Sequence, residues 1–272
     1  MNVKILVCAH KNAAIWSNEV YMPIQMGRAI SGETLDMQGD DDGDNISLKN
    51  KSYCELTGLY WAWKNLHDVD YVGLCHYRRY FDFREHLLKK DKYFVGASLF
   101  KKLQSQIPDF QKIFSKYDMI ITEPEVSSYN LAERYSISHN GLDLEVLKSV
   151  VSDVSPEFID AYEKVMNNNK LSAYNMFITR KSVFDDYCSW LFKVLGEVEK
   201  RVNISSYNHY QARIYAFMAE RLLPIYIERN KLRAKAVPII FNDENKRPGQ
   251  QNFLFKMKKN LCFYAIHSHF YK

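Results

Sequence analysis

Cysteine, glycine and proline are all scarce in this chain of 272 residues, at 5, 10 and 7 respectively. The cysteines, Cys8, Cys54, Cys75, Cys188 and Cys262, are odd in number and scattered, with no Cys-x-x-Cys pair. That excludes a disulfide-stapled miniprotein and any spacing suited to zinc, and it fits reduced thiols in a cytosol. Few glycines and prolines beside 47% hydrophobic residues exclude a collagen-like or disordered chain. No apolar stretch approaches the roughly 20 residues that cross a bilayer. The apolar run that opens the chain, about five residues after a single Lys, is shorter than a signal-peptide core. The protein is therefore expected to be neither exported nor membrane-spanning, and to work in the cytoplasm. Gly-x-Ser-x-Gly, His-Glu-x-x-His, P-loop and Gly-x-Gly-x-x-Gly motifs are absent. Their absence argues against serine hydrolases, zinc proteases, P-loop NTPases and dinucleotide oxidoreductases.

Acids are scarce towards the C-terminus. From Glu228 to Lys272 ten Lys or Arg face three acids, and none follows Glu244, although the whole chain carries a formal charge of only +5. The asymmetry points to a polyanionic neighbour or an anionic membrane surface. Nucleic acid is not among the expected partners. The segment FLFKMKKNLCFYAIHSHFYK interleaves aromatics with Lys, which suits a helix lying at a membrane surface and equally a terminal helix packed on the domain.

What is present is an alternation of strand and helix patterns. Val3 to Ala9 is a near-continuous apolar run ending at His10 and Lys11, as in a strand buried on both faces of a parallel sheet. A helix is expected from Asn50. Ser52 and Glu55 have capping-box spacing, and Leu56, Leu59, Tyr60, Trp63 and Leu66 form a stripe. Tyr71 to Cys75 reads as the next buried strand, delivering His76, Tyr77, Arg78 and Arg79 to its C-terminal edge, where open α/β sheets bind ligands. Strand signatures recur at Tyr117 to Thr122 and Tyr174 to Thr179. Helical patterns cover Leu142 to Val151, Phe158 to Met166, Val183 to Val202, and His209 to Leu223, the last stopping near Pro224. The expected class is α/β with a mostly parallel sheet, one domain over residues 1–230 and a basic, aromatic appendage over 231–272.

Two adjacent guanidiniums where a strand ends form the sharpest chemical signal. Arginine matches phosphate oxygens bidentately and stays charged at any pH, so Arg78 and Arg79 suit a diphosphate leaving group that gains negative charge as a sugar bond breaks. The same spacing also fits solvated charges or partners of Asp82 and Glu85. The acidic run from Gly39 to Asp44 lacks EF-hand spacing and reads as a solvated loop touching a base or ribose. Glu55 fits either a helix cap or a ribose contact, whereas Asn50, Lys51 and Tyr53 are nucleotide candidates by position. His139 and Asp143, four apart, would share a helical face as sugar ligands or as a surface pair. Asn175 opens an apolar strand and needs a hydrogen bond from packing or from sugar. Glu220 and Arg221 sit in apolar surroundings, as a general base with its neighbour or as an intrahelical ion pair.

Taken together, GDNISLKNKSYCELTGLYWAWKN, YVGLCHYRRYF, PIQMG, YNMFITRK and FMAERLL resemble the domain-of-unknown-function 4422 family of capsular polysaccharide glycosyltransferases, over residues 3 to about 230. The resemblance implies transfer of a sugar from a UDP-sugar, with galactofuranosyltransferases using UDP-galactofuranose among the relatives. The implied fold is GT-A-like, a Rossmann-type α/β domain. Such enzymes usually place an Asp-x-Asp metal motif at a strand end, whereas Cys75 to Arg79 carries no acid. Metal independence is the expectation, with Arg78 and Arg79 in place of Mn²⁺ or Mg²⁺. By the same resemblance Glu220 is the expected base, with Glu123, Glu125 and Asp143 as competitors. His10, Asp44, Asn45, Lys51 and Tyr53 are expected to line the nucleotide, with His76 beside the diphosphate. The donor would be UDP-galactofuranose or a UDP-hexose, and the acceptor a lipid-linked oligosaccharide of a capsular or O-antigen polysaccharide at the inner membrane face. A non-catalytic nucleotide- or polyanion-binding module and a sugar phosphotransferase are the competing classes.

Overall fold

The computed structural model describes residues 1–242 and 249–268. Residues 243–248, and the last four residues of the basic tail, lie outside the described residues. The apolar runs become the centre of one mixed sheet, in the order Ala234–Val237, Met119–Thr122, Phe177–Arg180, Tyr71–His76, Val3–Ala9, Tyr21–Gln25, Gln38–Gly39. Neighbours are parallel except at Phe177–Arg180, which is antiparallel to both of its own. The α/β, mostly parallel reading is thus borne out.

Both faces of this sheet are covered, which is why its central strands are apolar throughout instead of alternating. Leu6, Cys8, Val72 and Leu74 point to one core with Leu56, Leu147, Leu191, Met218 and Leu222 from the helices. Ile5, Val7 and Cys75 point to the other, with Trp16, Tyr80, Phe100 and Phe114. The helices of the first layer are Leu56–Asn65, Leu142–Val154, Ile159–Met166, Lys181–Arg201 and Ile214–Arg229.

Three local expectations are corrected. The helix at Asn50 stops at Tyr53, because Cys54 takes a left-handed φ of 50°, and a second helix starts at Leu56. Ser52 Oγ instead donates to the Lys49 carbonyl, so no capping box forms with Glu55. The late helix begins at Ile214, after a 3₁₀ turn, and runs through Pro224 to Arg229. A proline inside a helix costs about 3 kcal/mol, and burial of Leu222, Leu223, Ile225 and Tyr226 around it offsets that cost.

Beyond residue 230, where the appendage was expected, the chain continues into the sheet. Ala234–Val237 pairs in parallel with Met119–Thr122, and Ile239–Phe241 pairs with Arg79–Phe81 and Lys92–Phe94. Val237, Ile239, Ile240 and Phe241 are buried in the second core. These strands were illegible locally, because Lys235 and the short apolar run beyond it give no alternation until neighbours supply the other strand. The helix Phe253–His267 stands outside both cores, with none of its residues buried.

Candidate active site

Val3–Ala9 and Tyr71–His76 run side by side and end together, Cys8 paired with His76. The loops leaving them carry His10 on one strand and the turn Tyr77–Arg78 on the other. Because Phe177–Arg180 runs the opposite way, with Phe177 against Leu74, it begins at this same edge. The two residues that lead into it, Tyr174 and Asn175, both hold left-handed backbone, with φ of 78° and 52°. For non-glycine residues that conformation is uncommon and persists where surrounding contacts determine it.

Those contacts assemble the site. The Tyr174 N–H donates to Glu220 Oε1 at 2.7 Å, its carbonyl accepts from His76 Nε2 at 2.8 Å, and its hydroxyl donates to Glu125 at 3.2 Å. Asn175 Nδ2 donates to Glu55 Oε1 at 2.7 Å and to the Ala216 carbonyl at 3.1 Å. One turn therefore ties together the strand-end histidine, the interhelix Glu55 and the Glu220 helix. Burial, then the Arg79 charge, push His76 down to about 3, so at neutral pH it is an uncharged donor.

Arg79 opens the strand Arg79–Phe81, which hangs on His76 on one side and on Phe241 on the other. Its guanidinium lies 4.4 Å from the Tyr174 ring and 5.3 Å from the Phe241 ring. Nε of Arg79 is buried and has no hydrogen-bond partner. Arg78 lies over Tyr77, 5.0 Å from the ring centroid, and its carbonyl accepts from the Asn242 N–H. Asp82, which the spacing offered as an alternative partner for the arginines, is held by Arg84 at 2.7 Å and by His86 at 2.9 Å. Glu220 Oε2 accepts from Arg221 at 2.9 Å, and Arg221 in turn donates to the Phe217 carbonyl and covers Tyr135.

Other expected residues divide. His10 is exposed and meets Tyr77 edge-on at 5.4 Å, at the rim of the strand edge. His139 ends a helix in extended conformation and stacks 4.0 Å from Phe217, one turn from Glu220. It does not share a helical face with Asp143, which belongs to the next helix and is buried on Tyr207 at 2.6 Å. Tyr53 is buried in the first core, against Tyr215, and donates to Glu199. Lys51 is exposed. Asp44 and Asn45 lie in a loop bound to itself and to Asn65, at the end of the Leu56–Asn65 helix opposite Glu55, about 15 Å away by helix rise. Asp40 accepts from Gly27, Arg28, Ser47 and Thr57, which makes the acidic run a structural loop.

Among the alternative bases, burial raises Glu125 but Lys92 and Arg134 outweigh it and hold the carboxyl near 2. Glu123 is paired with Lys256 at 2.7 Å. Among the described residues no group of three or more His, Cys, Asp or Glu is placed to hold a metal.

Two residues escaped the sequence reading. Arg213 donates through Nε to Cys54 Sγ at 3.1 Å beside Glu55, and nothing in its turn of sequence signals that position. Tyr174 was read as the first residue of a strand, although an Asn directly ahead of an apolar run is the usual mark of a left-handed turn. A cavity of about 320 Å³ bounded by Trp16, Phe81, Arg84, Ile107 and Ile240 lies on the second core and contains none of the candidate residues.

No curated protein matches the chain. Among solved structures, that of WbbM, described as a bifunctional glycosyltransferase in its apo form, superposes with a TM-score of 0.82 at 30% identity. The match covers 90% of this chain and 46% of WbbM, so the chain spans about half the length of that protein. Residues 4–231 match the domain of unknown function DUF4422. With the YVGLCHYRRYF edge, the antiparallel strand and the Glu220 helix all inside the matched span, the chain belongs to the DUF4422 family.

Proposed function

We propose that the protein transfers a hexosyl group from a UDP-sugar, UDP-galactofuranose or a UDP-hexose, to a lipid-linked oligosaccharide of a capsular or O-antigen polysaccharide. The observation that carries this reading is Arg79, a half-buried guanidinium at the C-terminal edge of the parallel strands with one buried N–H still unmatched. An unmatched buried donor costs free energy that an anionic oxygen recovers. A diphosphate set there places its developing charge against Arg79 and Arg78.

In the reaction, the anomeric C–O bond breaks, its electron pair goes to the diphosphate oxygen, and the acceptor oxygen bonds to the anomeric carbon. The acceptor proton passes to Glu220. Each Glu220 oxygen already accepts one hydrogen bond, from Tyr174 or Arg221, and keeps a lone pair for that proton. Neutral His76, donating to the Tyr174 carbonyl, fixes the turn without adding a third cation beside Arg78 and Arg79. The guanidiniums take the electrostatic role of a divalent ion, so no metal is required.

The test is turnover and UDP binding by purified protein over a panel of nucleotide sugars, in EDTA and in Mn²⁺. UDP release is expected to persist in EDTA, Arg79→Ala to lower kcat/KM by about 10²–10³, and Glu220→Gln to lower kcat by about 10²–10⁴ with UDP affinity retained. Loss of turnover in EDTA with recovery in Mn²⁺ would refute metal independence. UDP binding without any hydrolysis or transfer identifies a binding module instead, and release of a nucleoside monophosphate identifies a phosphotransferase.

A further inference from the structure

The helix Phe253–His267 is attached the wrong way round for water. Its polar face is the docked one: Lys256 pairs with Glu123 at 2.7 Å, Asn260 meets Asn169 at 2.8 Å and His267 meets Glu133 at 3.1 Å. These positions, with Phe263 between them, recur at intervals of four, three and four residues and form one stripe. Asn252 caps the first turn by accepting from the Phe255 N–H, so the orientation is held at both ends. The stripe turned outward is apolar. Phe253, Leu254, Leu261 and Tyr264 are between 67% and 73% exposed, and Met257 lies among them at 45%.

A surface helix of a water-soluble protein ordinarily buries its apolar face, and an exposed apolar stripe of this kind marks a surface that something covers. We infer that it is covered by an anionic phospholipid surface. Lys258 flanks the stripe, Lys259 follows it, and no acid occurs in the chain after Glu244. Aromatics at the ends, a leucine and methionine centre and lysine margins match a helix lying in the plane of a headgroup layer. A second copy of the chain fits less well, because a two-fold pairing of this face sets lysine margins against each other. No helix among the described residues is long and apolar enough to cross the membrane, so the contact is one of lying on the surface. The inference rests on the function proposed above only in that a lipid-linked acceptor is presented at the same surface.

The experiment is cosedimentation of the full chain with phosphatidylcholine vesicles, with and without phosphatidylglycerol. Binding is expected to be at least about tenfold stronger to the anionic vesicles and to weaken as salt rises. The double variant Met257→Glu, Leu261→Glu is expected to lose at least about tenfold in vesicle binding, while its melting temperature and its UDP affinity match those of the parent chain. Parent protein that stays in the supernatant with both vesicle types overturns the inference, as does a double variant that sediments like the parent. If the parent is a dimer without vesicles and the double variant a monomer, the covering partner is a second copy and the lipid assignment fails. Vesicle binding is read without any sugar transfer, so its failure and the failure of the catalytic reading are separate results.

Discussion

Tyr174 offers four different groups to four different neighbours: its N–H to Glu220, its carbonyl to His76, its hydroxyl to Glu125 and its ring to Arg79. Two substitutions separate these contributions. Tyr174→Phe removes only the hydroxyl contact, so stability is expected to fall by about 1 kcal/mol with UDP affinity unchanged. Tyr174→Leu removes the ring beneath the guanidinium, worth about 0.5–2 kcal/mol, and UDP is expected to bind several-fold more weakly. Calorimetric titration with UDP measures both, and equal affinity for the Leu variant and the parent would refute the positioning role. None of this was legible locally. Tyr174 extends an apolar run in the sequence, and its left-handed backbone is set by partners up to 98 positions away. Glu55 shows the reverse error. Its spacing from Ser52 satisfies a capping pattern, yet the left-handed Cys54 breaks the helix and Asn175, 120 positions away, takes the carboxylate.

The strand Phe177–Arg180 is the element on which the site turns, since its reversed direction brings Tyr174 and Asn175 to the edge where His76 ends. It approaches Tyr71–His76 closely at Gly73. A Cβ added there would lie 2.7 Å from Ile178 Cγ1 and 2.9 Å from the Phe177 carbonyl oxygen, and the latter is backbone that cannot rotate away. Gly73→Ala is therefore expected to cost about 1–3 kcal/mol in denaturant unfolding, and to weaken UDP binding because the turn moves with the strand. A variant as stable as the parent would show that the two strands separate freely. The strand itself was legible as an apolar run, but its direction was not. Periodicity reports burial and carries no sign along the chain.

Acid stability belongs to the molecule as a whole. His76 titrates at about 3 when folded against an ordinary 6.5, so its stabilising effect is complete above pH 6.5 and is lost as pH falls towards 3. Each pH unit in that window removes about 1.4 kcal/mol at most. Glu125, held near 2 against an ordinary 4.5, adds a second loss from pH 4.5 down to 2. Melting temperature followed from pH 7 to 4 is expected to fall steeply in the parent and less steeply in His76→Gln, which keeps a donor for the Tyr174 carbonyl. Identical slopes would remove His76 as the source.

The sequence alone determined the class of fold, since runs apolar on both faces alternate with amphipathic helices and need a covered, largely parallel sheet. It also placed His76, Arg78 and Arg79 at a strand end, because that order is covalent. Only the tertiary structure decided which distant groups meet them. Asn175, Glu220 and Arg213 arrive there, while Tyr53, Asp44 and Asn45 go elsewhere. Ala234–Val237 and Ile239–Phe241 likewise became strands only once partners were in place, for strand pairing satisfies backbone groups through neighbours that local sequence does not specify.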